Sequence, residues 1–265
     1  MHQLSLRIES QPSDSDCGPT CLHAVYNYWK DEISLDQVIE EIGQFSKGGT
    51  LAVQLACHAL RRGYEATIVT YNVQFFDPTW FPFGRVDLAE KLIAQREAKR
   101  ATDERFDVAT EAYLQFLELG GVVDMEPLEE NLIVRSLVAG VPILSGLSAT
   151  FLYQEAREVS QPRDERGRTS VANDILGEPA GHFVVLYGYE TQTGQVMLAD
   201  PLQNNPIAKT HLYAAPLSQV ATAILLGIAT YDANLLMIRK KHERPMSAKF
   251  AMSPVAKVAK TFDEP

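Results

Sequence analysis

QPSDSDCGPTCLHAVYNYW, Gln11 to Trp29, is the stretch around which the rest of the chain is organised. Pro12, Ser13, Asp14, Ser15 and Asp16 form a run of turn and N-cap residues, after which Leu22, Val25, Tyr26 and Trp29 recur at i, i+3, i+4 and i+7. This pattern predicts a helix that begins at Asp16 or Cys17 and turns one apolar stripe inward as far as Trp29. Pro19 fits only in the first turn, where its missing N–H has no intrahelical partner to lose. A thiol at that end meets the positive pole of the helix dipole, which favours S⁻ over SH. Gly18 is expected to leave the backbone beside the sulfur open to an approaching substrate. The same residues also suit a small buried thiol, so this stretch alone leaves Cys17 between packing and chemistry.

Composition bounds the remaining choices. With 265 residues, 46% of them hydrophobic, the chain can bury a proper core, and one domain with insertions is expected: residues 1–241, followed by a tail at 242–265. A formal net charge of −10 argues against nucleic acid or an anionic membrane as the main partner. The opening MHQLSLRIES has no apolar core of the ~7–15 residues that a secretory signal needs. No apolar run approaches the ~20 residues of a membrane span. Three cysteines, Cys17, Cys21 and Cys57, cannot all pair, and their spacing fits no zinc site. Free thiols in a reducing cytoplasm, with no cofactor and no metal, are the expectation.

Leu4, Leu6 and Ile8 alternate with polar residues and predict a short strand over 3–8. Ser34 caps a second helix carrying Leu35, Val38, Ile39 and Ile42, broken at Gly48 and Gly49. Leu51 to Arg62 is a third helix, ended by Gly63, and EATIVTY, Glu65 to Tyr71, reads as a strand. His58 has no acidic residue at i+3 or i+4 and reads as a packed or half-exposed helix histidine. A helical insertion is expected over about 75–130. It opens with Phe75, Phe76, Trp80, Phe81 and Phe83, either core or a substrate wall, and continues as charged, solvated helices over 87–100 and 108–119. LEENLIVRSLVAG predicts a helix ending at Gly140, and VPILSGLS a buried strand. The charged loop over about 153–180 is either a lid or a solvated excursion. DANLLMIRKK supplies a last strand.

GHFVVLYGYETQTGQVMLADP, Gly181 to Pro201, reads as an antiparallel hairpin with its turn at ETQTG. A turn centred near 191 and 192 places His182 opposite positions 200 to 202, since 2 × 191 − 182 = 200, which makes Asp200 its cross-strand neighbour. A carboxylate beside an imidazole holds one tautomer and favours the charged ring, as a cysteine–histidine nucleophile requires. The pair would otherwise only cap the open end of the hairpin.

Taken together, a glutamine followed by DCGPTCL, then GHFVV, then LADP resembles the papain-like cysteine peptidases related to the double-glycine, leader-processing peptidases of bacteriocin exporters. The resemblance implies an α+β papain-like fold, with N-terminal helices packed on an antiparallel sheet. It also implies that Cys17, His182 and Asp200 are catalytic and that Gln11, six residues before Cys17, helps form the oxyanion hole. The motif blocks cover about a fifth of the chain, and the insertion and the long loop depart from a minimal domain. A peptide or protein substrate is therefore expected, with enzymes that make or modify that peptide as partners, but not specifically a double-glycine leader. An acyltransferase on the same scaffold and a non-catalytic peptide-binding module are the alternatives, and the presence of Cys17 counts against the second.

Overall fold

The computed structural model describes residues 1–43, 49–81, 86–99, 104–162, 164–165, 168–230 and 232–241. Helix α1 runs over Cys17–Tyr28, with Asp16 at the N-cap, as the periodicity predicts. Helix α2, Leu35–Ile42, begins at Ser34, whose side chain accepts a bond from the Gln37 N–H. It ends earlier than expected, because Gly43 already adopts φ 69°, a left-handed conformation that halts a helix. Gly48 lies outside the described residues. Helix α3, Ala52–Arg61, and strand β2, Tyr64–Thr70, meet at Gly63 with φ 86°.

The predicted strand over 3–8 shrinks to β1, His2–Gln3; the next main-chain bond runs from the Leu4 N–H to the Tyr187 carbonyl. The middle of the chain adds helices α4, Leu88–Ala98, and α5, Glu104–Glu118, then β3, Val122–Asp124, and α6, Glu130–Val138. These helices are not simply a solvated layer. Leu92, Tyr113 and Phe116 are buried, and α5 packs on α3. Phe75 stacks on Phe106 at 4.8 Å between ring centroids, and Phe76 meets Tyr113 edge-on at 4.8 Å, so these aromatics are core and not a substrate wall. Phe83 lies outside the described residues, as does the tail at 242–265.

Strand β4, Ile143–Ser148, leads directly into the short helix α7, Ala149–Tyr153. Two short strands follow, β5, Glu158–Ser160, and β6, Ser170–Ala172. The chain then forms β7, Gly181–Glu190, β8, Gln195–Ala199, β9, Leu212–Pro216, helix α8, Leu217–Leu226, and β10, Asn234–Lys240. The main sheet has the order β3-β2-β10-β4-β7-β8-β9, with β1 on β7, and every pair in it is antiparallel except β2 with β3. The last strand thus fills the centre of the sheet, between β2 and β4.

Helices cover both faces of this sheet. Val185, Leu144 and Leu236 pack towards α1 and α3, while Val184, Leu186 and Leu235 pack towards α6 and α8. Burial on both sides explains why HFVVLY is continuously apolar instead of alternating. This α+β arrangement, helices on a mainly antiparallel sheet, is the fold class that the sequence predicts. His58 is packed, as expected, but its acidic partner comes from another helix. Its Nδ1 lies 2.7 Å from the Tyr26 hydroxyl and its Nε2 2.9 Å from Glu41 of α2.

The start of α3 is held from across the sequence. The Asp232 carboxylate accepts the Ala52 N–H at 3.1 and 3.2 Å and an Asn234 amide hydrogen at 2.8 Å. Gly146 of β4 makes room for it, since a Cβ there would lie 2.8 Å from the Asp232 Cβ and 2.9 Å from its Cγ. Gly146→Ala should therefore lower the stability measured by urea unfolding by roughly 1–3 kcal/mol, as overpacking of a tight core does. Ala substitution at Gly194, a half-exposed turn position where a Cβ would meet only the Tyr189 hydroxyl at 3.9 Å, tests instead the strain of its positive φ of 66°.

Candidate active site

Cys17 is the first residue of α1 and is buried. The Asp16 side chain does not cap this helix. It turns back to accept the Ser13 hydroxyl at 2.6 Å instead. Gly18 differs from its expected role. A Cβ there would meet the Phe183 ring at 3.2 Å and Leu55 at 3.3 Å, so the glycine allows α1 to sit close on the sheet and is not an opening for substrate. Cys21, one turn on, is fully buried and donates to the Phe183 carbonyl at 3.2 Å. Burial pushes its thiol well up, with the neighbouring Cys17 and Asp200 adding to the effect.

His182 is the second residue of β7, paired across to Leu147 of β4. Its Nε2 lies 2.8 Å from Asp200 Oδ1, and Cys17 is near enough to add to the charge on the ring. Since Nε2 serves the aspartate, Nδ1 is the nitrogen left for the thiol. The structure therefore brings Cys17, His182 and Asp200 into one line of contacts. The hairpin does this in a register within the expected range. Val185 pairs with Ala199, which sets position 202 opposite His182 (185 + 199 − 182 = 202), and an irregularity between Leu186 and Gly188 shifts the pairing on the turn side. Asp200 reaches the ring diagonally from the end of β8.

Asp200 is fully buried, and its second oxygen is equally occupied. Oδ2 accepts the Tyr153 hydroxyl at 2.7 Å, the Tyr213 hydroxyl at 2.8 Å and the Asn205 amide at 2.7 Å, while Oδ1 also accepts the Leu202 N–H at 3.0 Å. The sequence reading missed Tyr153, Tyr213 and Asn205, because they converge from three separate segments with no shared spacing. Burial alone would protonate the Asp200 carboxyl, but the His182 ring and these donors hold it down at about 2. Burial likewise opposes the imidazolium of His182, and the Asp200 carboxylate overrides it, with Cys17 adding its share, so that the ring is pushed up to about 10.

Gln11 lies on the same cleft as His182. Its N–H donates to the Pro201 carbonyl at 3.0 Å, beside Asp200, which ties the approach to α1 to the end of the hairpin. The preceding Ser10 hydroxyl lies 2.9 Å from His211 Nε2, and His211 Nδ1 lies 2.8 Å from the Asp200 carbonyl. The Gln11 side chain spends one amide hydrogen on the Ser13 carbonyl at 2.8 Å and retains a second. The cleft, about 390 Å³, is further lined by Thr150 and Tyr153 of α7 and by Ser170, Val171 and Ala172 of β6. Among the described residues, no group of His, Cys, Asp or Glu side chains is placed to hold a metal ion, and no helix is long and apolar enough to cross a membrane.

The imidazolium of His182 is stabilised by folding, so its contribution to stability is complete below the unfolded value near 6.5 and is lost as pH rises through about 10. NMR of the His182 ring should accordingly find it protonated at pH 8 in the wild type and neutral there in Asp200→Asn. A wild-type ring that titrates near 6.5 would contradict the charge arrangement.

The Peptidase C39 family matches residues 5–91, a segment that contains Gln11 and Cys17 but ends before His182 and Asp200. No curated protein matches the chain. Among solved structures, the chain resembles a double glycine motif protease from an AMS/PCAT transporter, determined in complex with the leader peptide. The two are 14% identical over 90% of this chain and 94% of that one, with a TM-score of 0.40. It also resembles the peptidase domain of Streptococcus ComA, a bifunctional ABC transporter involved in quorum sensing, at 12% identity over 91% of this chain and 100% of that one, with a TM-score of 0.39. Neither overlap is close enough to bear on the chemistry. The family match thus covers the segment that carries Gln11 and Cys17, 87 of the 265 residues.

Proposed function

We propose that this peptidase cleaves its substrate with Cys17 as nucleophile, His182 as general acid and base, Asp200 as the group that orients and charges His182, and Gln11 in the oxyanion hole. The observation that carries this reading is the position of His182, beside Cys17 and hydrogen-bonded to a fully buried, multiply bonded aspartate.

The thiolate attacks the scissile carbonyl carbon, and the carbonyl π electrons pass to oxygen. The resulting oxyanion is received by the Cys17 N–H at the start of α1 and by the amide hydrogen that Gln11 does not spend on Ser13. His182 gives its proton to the departing amine, which breaks the C–N bond and leaves a thioester on Cys17. Water, deprotonated by the now neutral ring, attacks the thioester, and the sulfur departs as thiolate paired again with imidazolium. Asp200 stays ionised throughout, because its donors stabilise the carboxylate.

In this reading residues 1–241 form one peptidase domain, elaborated over about 75–130 and 153–180, and the substrate is a peptide supplied by enzymes that make or modify it. Three free cysteines, all buried, accord with a reducing compartment such as the cytoplasm.

Cys17→Ala should abolish peptide hydrolysis and remove the thiol that iodoacetamide labels fastest at neutral pH, whereas Cys21→Ser should retain most activity. Mass spectrometry of an acyl-enzyme trapped from a peptide library should place the added mass on Cys17; the adduct on Cys21 would overturn the assignment. Gln11→Ala should lower kcat by roughly 10²–10³, the usual cost of one oxyanion donor.

A further inference from the structure

Strands β5 and β6 form a two-stranded sheet outside the main one, with Glu158 paired to Ala172, Val159 to Val171 and Ser160 to Ser170. Main-chain bonds fix the phase of this ladder. The Gln161 N–H donates to the Thr169 carbonyl at 2.8 Å, and the Asn173 N–H donates to the Arg157 carbonyl at 2.7 Å. Hydrogen-bonded pairs alternate along an antiparallel ladder, so Val159 and Val171 bond each other, whereas residues 158, 160, 170 and 172 direct their N–H and C=O groups away from the partner strand. The outer edge of β5 obeys this phase. Glu158 exchanges both main-chain bonds with Glu178, at 3.0 and 2.8 Å.

The outer edge of β6 has no such neighbour. The N–H and C=O groups of Ser170 and Ala172 point outward, and no other strand pairs with them among the described residues. Ser170, Val171 and Ala172 nevertheless all line the cleft that holds Gln11 and His182. Consecutive residues reach one cavity when a strand borders it along its length, not when it turns a single face to it. The hairpin is also fastened to the nucleophile side of the cleft, because the Thr169 hydroxyl donates to the Asp14 carboxylate at 3.3 Å. Val171 and Ala172 are exposed, and they share the lining of this cleft with His182.

We infer that the open edge of β6 is a substrate-binding strand: an extended peptide segment adjoining the scissile bond lies along it, exchanging main-chain hydrogen bonds with Ser170 and Ala172. This inference rests on the cysteine peptidase reading of the cleft and adds its substrate-holding element. Recognition through main-chain groups selects for an extended backbone and is indifferent to side-chain identity at the paired positions. The edge holds an extended peptide, whereas a small acyl ester offers no strand and reaches Cys17 without using it.

Proline at an outward-pointing position removes one edge N–H while sparing the bonds between β5 and β6. The test uses the full chain and its Ala172→Pro and Ser170→Pro variants with two probes, a random decapeptide library and the 4-nitrophenyl ester of acetylglycine, together with iodoacetamide labelling of Cys17. The expected result is library cleavage at low substrate concentration slowed roughly two- to tenfold in each variant, as loss of one main-chain bond implies, with ester hydrolysis and Cys17 labelling unchanged. Library cleavage at the wild-type rate in both variants overturns the inference. Equal loss of ester and peptide hydrolysis in both overturns it too, since the hairpin would then be shaping the triad and not holding substrate. Cys17→Ala that retains ester and peptide hydrolysis would instead remove the nucleophile assignment itself.

Discussion

The contact between His182 and Asp200 is the constraint to which the surrounding structure answers. A fully buried carboxylate is tolerable only when its charge is paired and its lone pairs are used, and here donors arrive from α7, from the segment after β8 and from β9. Tyr153, Asn205 and Tyr213 therefore do more than pack. They keep Asp200 an acceptor, and an acceptor on Nε2 is what keeps the His182 ring charged and presented to Cys17. The hydrogen-bonding of the aspartate and the chemistry of the cysteine are the same arrangement, described from its two ends.

The chain closes on this arrangement from both directions. Gln11 is fixed by its bond to Pro201, and Ser10 and the Asp200 carbonyl share His211, so the approach to α1 is stitched to the exit from β8. The sheet beneath is completed by β10, which arrives last and lies between β2 and β4. Its neighbour Asp232 holds the start of α3, the helix whose Leu55 packs on Gly18 beside Cys17. The two ends of the described chain thus meet in the layer that supports Cys17.

Much of this was legible in the sequence because local chemistry dictates it. The turn residues before Cys17, the stripe from Leu22 to Trp29, Ser34 at its cap and Gly63 and Gly140 at their helix ends all report short-range physics, and each is found in its expected element. The hairpin from Gly181 was legible too, as an apolar run interrupted by ETQTG. Its register at the open end was legible as well, but the irregularity between Leu186 and Gly188 was not, because it depends on how β7 fits between its neighbours and leaves no mark in composition. The strand β9 and helix α8 escaped for a related reason: LYAAP and the apolar helix after it carry little alternation and make sense only against the sheet.

The sequence by itself determined that a cysteine opens an amphipathic helix and that a histidine and an aspartate share a hairpin, since caps, periodicity and turns act over a few residues. Only the tertiary structure decided that these groups touch, that Gly18 serves packing against Phe183 and not access, and that tyrosines from α7 and β9 keep the aspartate charged. Contacts between residues far apart in the chain are set by which faces must be buried together, and that competition is settled only when the whole chain has packed.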